Sequence, residues 1–224
     1  MCEPYPKRCT AFAGFRRIAT GDLAEVALKA RAVIKSGEQA PVLIFDDLTS
    51  EQLEVDIRGP VKDVLARLEK SAGKGKPKDV SARPGADATP GPGRPKLGVI
   101  GREVTLLPRH WDWLNSQPGG ASVTLRKLVE AAKRANAGQD RIRAARESTY
   151  RFMVAMAGNL PGFEEAARAL FARKKDRFKE FEKLVSVWPR DIRRHVSKLM
   201  EETIRMEKMV AGAEQEGRTP AIGC

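Results

Sequence analysis

From Lys70 to Gly93 the chain reads KSAGKGKPKDVSARPGADATPGPG, with Val80 its sole aliphatic side chain larger than alanine. Such a stretch cannot bury enough apolar surface to offset the entropy of ordering it. It is therefore read as a flexible linker that separates segments with cores of their own. The expected architecture is α+β: a small N-terminal α/β-sheet domain over 1–70 and a basic linker over 71–96. A strand-helix-helix unit with a helical bundle follows over 97–212, and a disordered tail over 213–224. The remaining sequence is ordinary in composition, 42% hydrophobic and 31% charged, which excludes wholesale disorder.

The net charge of +12 is unevenly placed. Residues 1–70 hold eleven Lys/Arg and eleven Asp/Glu, so that segment is neutral. Residues 71–98 contribute +4, 99–135 +3 and 136–212 +6. An excess confined to one part of a chain fits a polyanionic partner for that part, or a solvated soluble surface. Met1–Thr10 has no apolar core for a secretory signal, and the longest aliphatic string is Val42–Phe45, so no membrane span is expected. Cys2, Cys9 and Cys224 are odd in number and lack metal-ligand spacing, which suggests reduced thiols and a cytoplasmic location.

Within the front segment, Thr10–Ala19 reads as extended with a hairpin around Gly14. Asp22 opens a helix, with Glu25 in capping-box position and a stripe of Leu23, Val26, Ala27, Ala30, Val33 and Ile34, and Gly37 closes it. Val42–Phe45 is a short buried strand. Leu53, Val55 and Ile57 alternate with charged residues as a second arm of a hairpin should. Pro60 begins another helix, striped by Val61, Val64, Leu65 and Leu68.

At the end of the linker, Gly93-Arg94-Pro95-Lys96 carries the Gly-Arg-Pro core of an AT-hook, which lays Arg into a narrow minor groove. An ordinary linker end is the alternative. Val104–Leu107 then reads as a strand, and Pro108 opens a helix with Trp111 and Leu114 on one face. Gly119-Gly120 closes that helix, and Ser122 caps the next, striped by Leu125, Leu128, Val129 and Ala132. Three elements this short need a second copy or a supporting domain.

V-T-L before a proline, an amphipathic helix, and G-A-S opening a helix that continues L-R-K-L-V together resemble the ribbon-helix-helix family of Arc and MetJ type, over about 35 residues. The resemblance implies an intertwined homodimer whose strand ribbon enters the major groove of double-stranded DNA. Carried over, Arg102 and Thr105 are candidate base readers. Gly120, Ala121 and Ser122 would clamp a phosphate, supported by Arg109 and Lys127. Leu106 stands where that family carries a polar groove-facing residue. Either the strand holds a bulge, or Thr105 and Leu107 share a face and the ribbon is buried. Over its whole length the chain also resembles an uncharacterised bacterial family, domain of unknown function 2239. The strings C-T-A-F-A-G, V-L-I-F-D-D, G-R-P-K-L-G-V, R-E-V-T-L-L-P-R-H-W-D-W-L and Y-R-F-M carry this likeness, which implies no activity.

Residues 139–210 read as helices. Their stripes are Ile142–Met156, Phe163–Phe171, Phe178–Trp188 and, after Pro189, Ile192, Val196 and Leu199. Arg190, Arg193, Arg194 and Lys198 form a basic face or a merely solvated one. Gly212–Gly223 offers no pattern. His110 is expected as a core or capping residue, because its neighbours Trp111 and Asp112 point elsewhere on a helix. No P-loop, nucleophile elbow or metal-ligand cluster is visible, so no enzyme, metal or cofactor is expected. Two functions remain: a DNA-binding regulator or nucleoid-associated factor whose N-terminal domain senses a ligand or partner, and a protein–protein adaptor anchored by Trp111 and Trp113.

Overall fold

The computed structural model describes residues 8–72, 101–172, 174 and 176–216. They fall in two compact units, Met1–Lys74 with Asn136–Cys224, and Gly75–Ala135. Residues 73–100, with Arg94, Lys96 and most of the expected linker, lie outside the described residues, as does 217–224. The fold is α+β. Strands β1 (Arg8–Ala13), β2 (Arg16–Asp22) and β3 (Val42–Asp46) form an antiparallel sheet in the order β2-β1-β3. Helices α1 (Leu23–Lys35), α2 (Val61–Ala72), α3 (Pro108–Ser116), α4 (Gly120–Ala157), α5 (Phe163–Phe171), α6 (Arg177–Val185) and α7 (Arg190–Glu216) complete the described elements.

In the first unit, β1 is central and its residues Cys9–Ala13 are all buried, because both faces of the sheet are covered. Cys9 and Ala11 share one cluster with Val26 and Ala30 of α1, where small side chains let the helix approach. Phe12 joins the other cluster, with Phe45 of β3, Phe152 and Met153 of α4, and residues of α5, α6 and α7. Each large ring buried there contributes ~2–3 kcal/mol. The hairpin turns at Gly14, whose φ of +53° suits glycine and whose amide donates to Pro41 O at 3.0 Å. A bulge at Ile18 shifts the register from Ala11↔Ala19 to Phe12↔Arg17. At the margins of the sheet, Arg17 N donates to Asp191 Oδ2 of α7 at 2.9 Å, and Leu53 N to Ile44 O at 2.8 Å.

Several expectations are corrected. Asp22 makes no side-chain cap bond, because it is still paired with Arg8 as the last residue of β2, and Glu25 instead bonds Lys29 Nζ at 2.6 Å. Leu53–Ile57 keeps its alternating burial but is no strand: pairing with β3 dies after the Phe45↔Gln52 bridge. Asp56 turns the chain instead, its Oδ1 accepting from Arg58 N and Nε at 3.2 and 3.0 Å. Ile34 and Phe171 end their stripes in the open, 44% and 46% exposed. The expected second helix and its successor are one continuous 38-residue α4. Its Gly138 is no break, since a Cβ there would meet Val210 Cγ1 at 2.9 Å, and glycine is what lets α7 come close. At its far end α7 runs on to Glu216, past the 212 expected as the end of the helical bundle.

Two polar features sit inside this unit. Glu207 of α7 takes both Nε and Nη2 of Arg146 (3.0 and 2.8 Å) on Oε1 and Nη2 of buried Arg177 on Oε2. His195 is buried against Phe152 and Phe12, with ring centroids at 4.4 and 5.4 Å. Burial, with Lys198 and Arg17 nearby, pulls its pKa from 6.5 down to about 4.

Glu207→Gln leaves Arg177 buried without its counter-ion. Chemical denaturation should show a loss of about 3 kcal/mol, and a loss below about 1 kcal/mol would contradict a stabilising role for the charge. Between pH 6.5 and 4 the unfolded chain takes a proton on His195 that the folded chain refuses. Stability is therefore full above pH 6.5 and falls as pH drops through this window, by an amount approaching about 3 kcal/mol. Urea titrations near neutrality and near pH 4.5 should show this fall, and His195→Leu should flatten that part of it.

Candidate nucleic-acid interface

The second unit is described from Gly101 to Ala135. Residues 101–107 form no ladder, with Leu107 in an extended conformation, which corrects the expected strand at Val104–Leu107. A strand exists only through its neighbour's amides and carbonyls, and the described residues of a single copy supply none here. Val104 and Leu107 stand 54% and 48% exposed.

Pro108 fills the first position of α3, where its missing N–H costs nothing, and Leu107 precedes it in an extended conformation. His110 N donates to Leu107 O at 2.8 Å to start the helix, and the imidazole is exposed, neither core nor cap. Leu114 is buried and Trp111 half-buried, while Trp113 turns outward at 50% exposure. At the other end Ser116 Oγ donates to Trp113 O at 2.8 Å.

Gly119 and Gly120 follow with φ of +90° and +73°. A Cβ at Gly119 would also lie 3.2 Å from Val123, so this turn needs glycine for both torsion and space. Gly120 N donates to Gln117 O at 2.9 Å, and α4 begins at once. Ser122 is thus an exposed residue of the first helical turn and not its cap: the double-glycine turn starts the helix three residues early.

Gly120, Ala121 and Ser122 are therefore brought together as one helical turn. Arg102 and Thr105 are exposed on the segment before α3, Arg109 on the first turn of α3 and Lys127 further along α4. Three cations escaped the sequence reading: Arg126, Lys133 and Arg134, all exposed on α4. Their signal was the pairing Arg126-Lys127 and Lys133-Arg134 seven residues apart, two helical turns. Arg126 Nε and Arg134 Nε donate to the carbonyls of Ser122 and Glu130 one turn back, each at 3.2 Å. Among the described residues neither Arg109 nor Lys127 has an ion-pair partner. No group of three His, Cys, Asp or Glu among them could hold a metal, and no helix among them is long and apolar enough to cross a membrane.

A family model covers residues 8–200, from the first strand into α7. The chain belongs to the DUF2239 family, uncharacterised proteins conserved in bacteria. Neither a curated protein nor a solved structure matches it. Membership in DUF2239 carries no activity, and the family match takes in both the sheet and the Gly101–Ala135 segment.

Gly119→Ala should impair the start of α4 by about 1–2 kcal/mol through its torsion. Amide exchange at 120–124 should quicken accordingly, and unchanged exchange would mean that the turn tolerates a side chain.

Proposed function

We propose that this protein binds double-stranded DNA through residues 101–135, two copies acting together, as a regulator or nucleoid-associated factor in the cytoplasm. One observation supports the reading above others. Among residues 101–135 Leu114 is the single buried side chain, while Val104, Leu107, Trp113, Leu128 and Val129 stand about half exposed or more. A segment with no core of its own needs a partner to cover its apolar residues. Its six cations against three acids then face a polyanion.

In a dimer of ribbon-helix-helix type residues 101–107 of the two copies would supply each other's missing ladder. Arg102 and Thr105 would then face base edges, and the first turn of α4 would meet a phosphate. Nothing in this reading requires a catalytic group or cofactor. The sheet of the first unit would be the place for an effector or protein partner. A second reading, an adaptor without nucleic acid, is favoured by the open indole of Trp113.

Binding to a duplex should weaken linearly in log salt, each phosphate contact contributing about 0.9 to the slope. Because each of the two copies loses two contacts, Arg109→Ala combined with Lys127→Ala should reduce that slope by about 3.6 per bound dimer while leaving the melting temperature unchanged. No binding at low salt, or superimposable curves for variant and wild type, rejects the DNA reading. Partners retained on the purified protein after nuclease digestion would then support the adaptor.

A further inference from the structure

A second basic surface lies in the other unit, on the exposed side of α7. Arg190, Arg194 and Lys198 recur at i, i+4 and i+8, all exposed, so their Cα atoms climb one face of the helix at steps of ~6 Å. Helix α7 packs beside β2, which adds the exposed Arg17. Arg17 stands beside the foot of this row, since its amide donates to Asp191 Oδ2 of α7 at 2.9 Å. Among the described residues none of these four side chains has an ion-pair partner.

Among the described residues the acids nearby form no ion pair with the stripe. Asp191 is engaged at the amide of Arg17, and Glu201 and Glu202 come one turn after Lys198, where the stripe ends. Between Arg190 and Lys198 no large apolar side chain is exposed; Val187, 69% exposed, precedes the helix, and Phe15, 49% exposed, lies two residues before Arg17. A membrane-binding helix would need apolar residues beside its cations, whereas a row of bare charges suits the evenly repeated phosphates of a nucleic-acid strand.

We propose that Arg190, Arg194, Lys198 and Arg17 form a phosphate-backbone contact surface for nucleic acid, separate from residues 101–135 and independent of any dimer. Contacts to phosphates alone would carry no base information directly.

The test uses the full chain, a mixed-sequence duplex, a single strand of equal length, and vesicles rich in anionic lipid. The triple variant Arg190→Gln, Arg194→Gln, Lys198→Gln should lower the salt slope on nucleic acid by two to three units, at about 0.9 per lost duplex contact. Arg190→Lys with Arg194→Lys should keep the wild-type slope, and both variants should melt with the wild type. Wild-type curves for the triple variant on both nucleic acids overturn the proposal. So does an equal loss in the charge-retaining variant, which would implicate packing. Vesicle binding that the triple variant abolishes, with nucleic-acid binding untouched, overturns it in favour of a lipid surface. Comparison with Arg109→Ala, Lys127→Ala separates the two surfaces, since either set can fail alone.

Discussion

Four rings hold the first unit together. Phe12 of β1, Phe45 of β3, Phe152 of α4 and His195 of α7 meet with centroids 4.4 to 6.2 Å apart, in tilted and edge-on arrangements. Such geometry sets the positive edge of one ring against the negative face of another and adds to the area each ring buries. Nearly the whole chain separates the first of these residues from the last, yet loop-closure entropy grows only slowly with length. A few large contacts therefore suffice to bind the ends to one core. The remaining architecture follows: β1 has apolar side chains on both faces, so it cannot persist without α1 on one side and the helical layer on the other.

Much of this was legible because it depends on local chemistry. Gly14 announced the hairpin, Pro108 and Pro189 the starts of α3 and α7, and the spacing of Val26 and Ala30 the inner face of α1. What failed was whatever depends on a distant partner. Val104–Leu107 and Leu53–Ile57 have strand-like sequences, but a strand is a property of a pair. Nothing local to Gly138 announces that Val210 of α7 packs over it. The two histidines were equally opaque: one of them lies among phenylalanines and the other in the open, and neither the residues beside His110 nor those beside His195 say which. In the candidate interface the residue types were readable, whereas their exposure and the helical start at Gly120 were not.

The charge distribution has a structural counterpart. In the front segment three of the acids, Glu25, Glu38 and Asp56, are engaged by cations close at hand. The bond from Lys29 holds Glu25 below the ordinary carboxylate range; the amide of Ala40 and then Arg16 do so for Glu38, and Arg58 does so for Asp56. These pairs close at 2.6 to 3.0 Å between Lys29 and Glu25, Arg16 and Glu38, and Arg58 and Asp56. From residue 101 onward the cations outnumber the acids; Asp140, Glu147 and Glu165 pair with arginines on exposed helix faces, and Glu207 pairs with two arginines toward the interior. The surplus is left on surfaces of α4 and α7.

The carboxylate of Asp191 has one more consequence. By taking the amide of Arg17 it occupies a valence on β2 that would otherwise invite a strand from another molecule, and the Glu51–Leu53 segment does the same beside β3. A three-stranded sheet with two bare rims would be a template for chain-to-chain stacking. Here each rim carries a stopper from the same polypeptide, so the sheet ends where its sequence ends it.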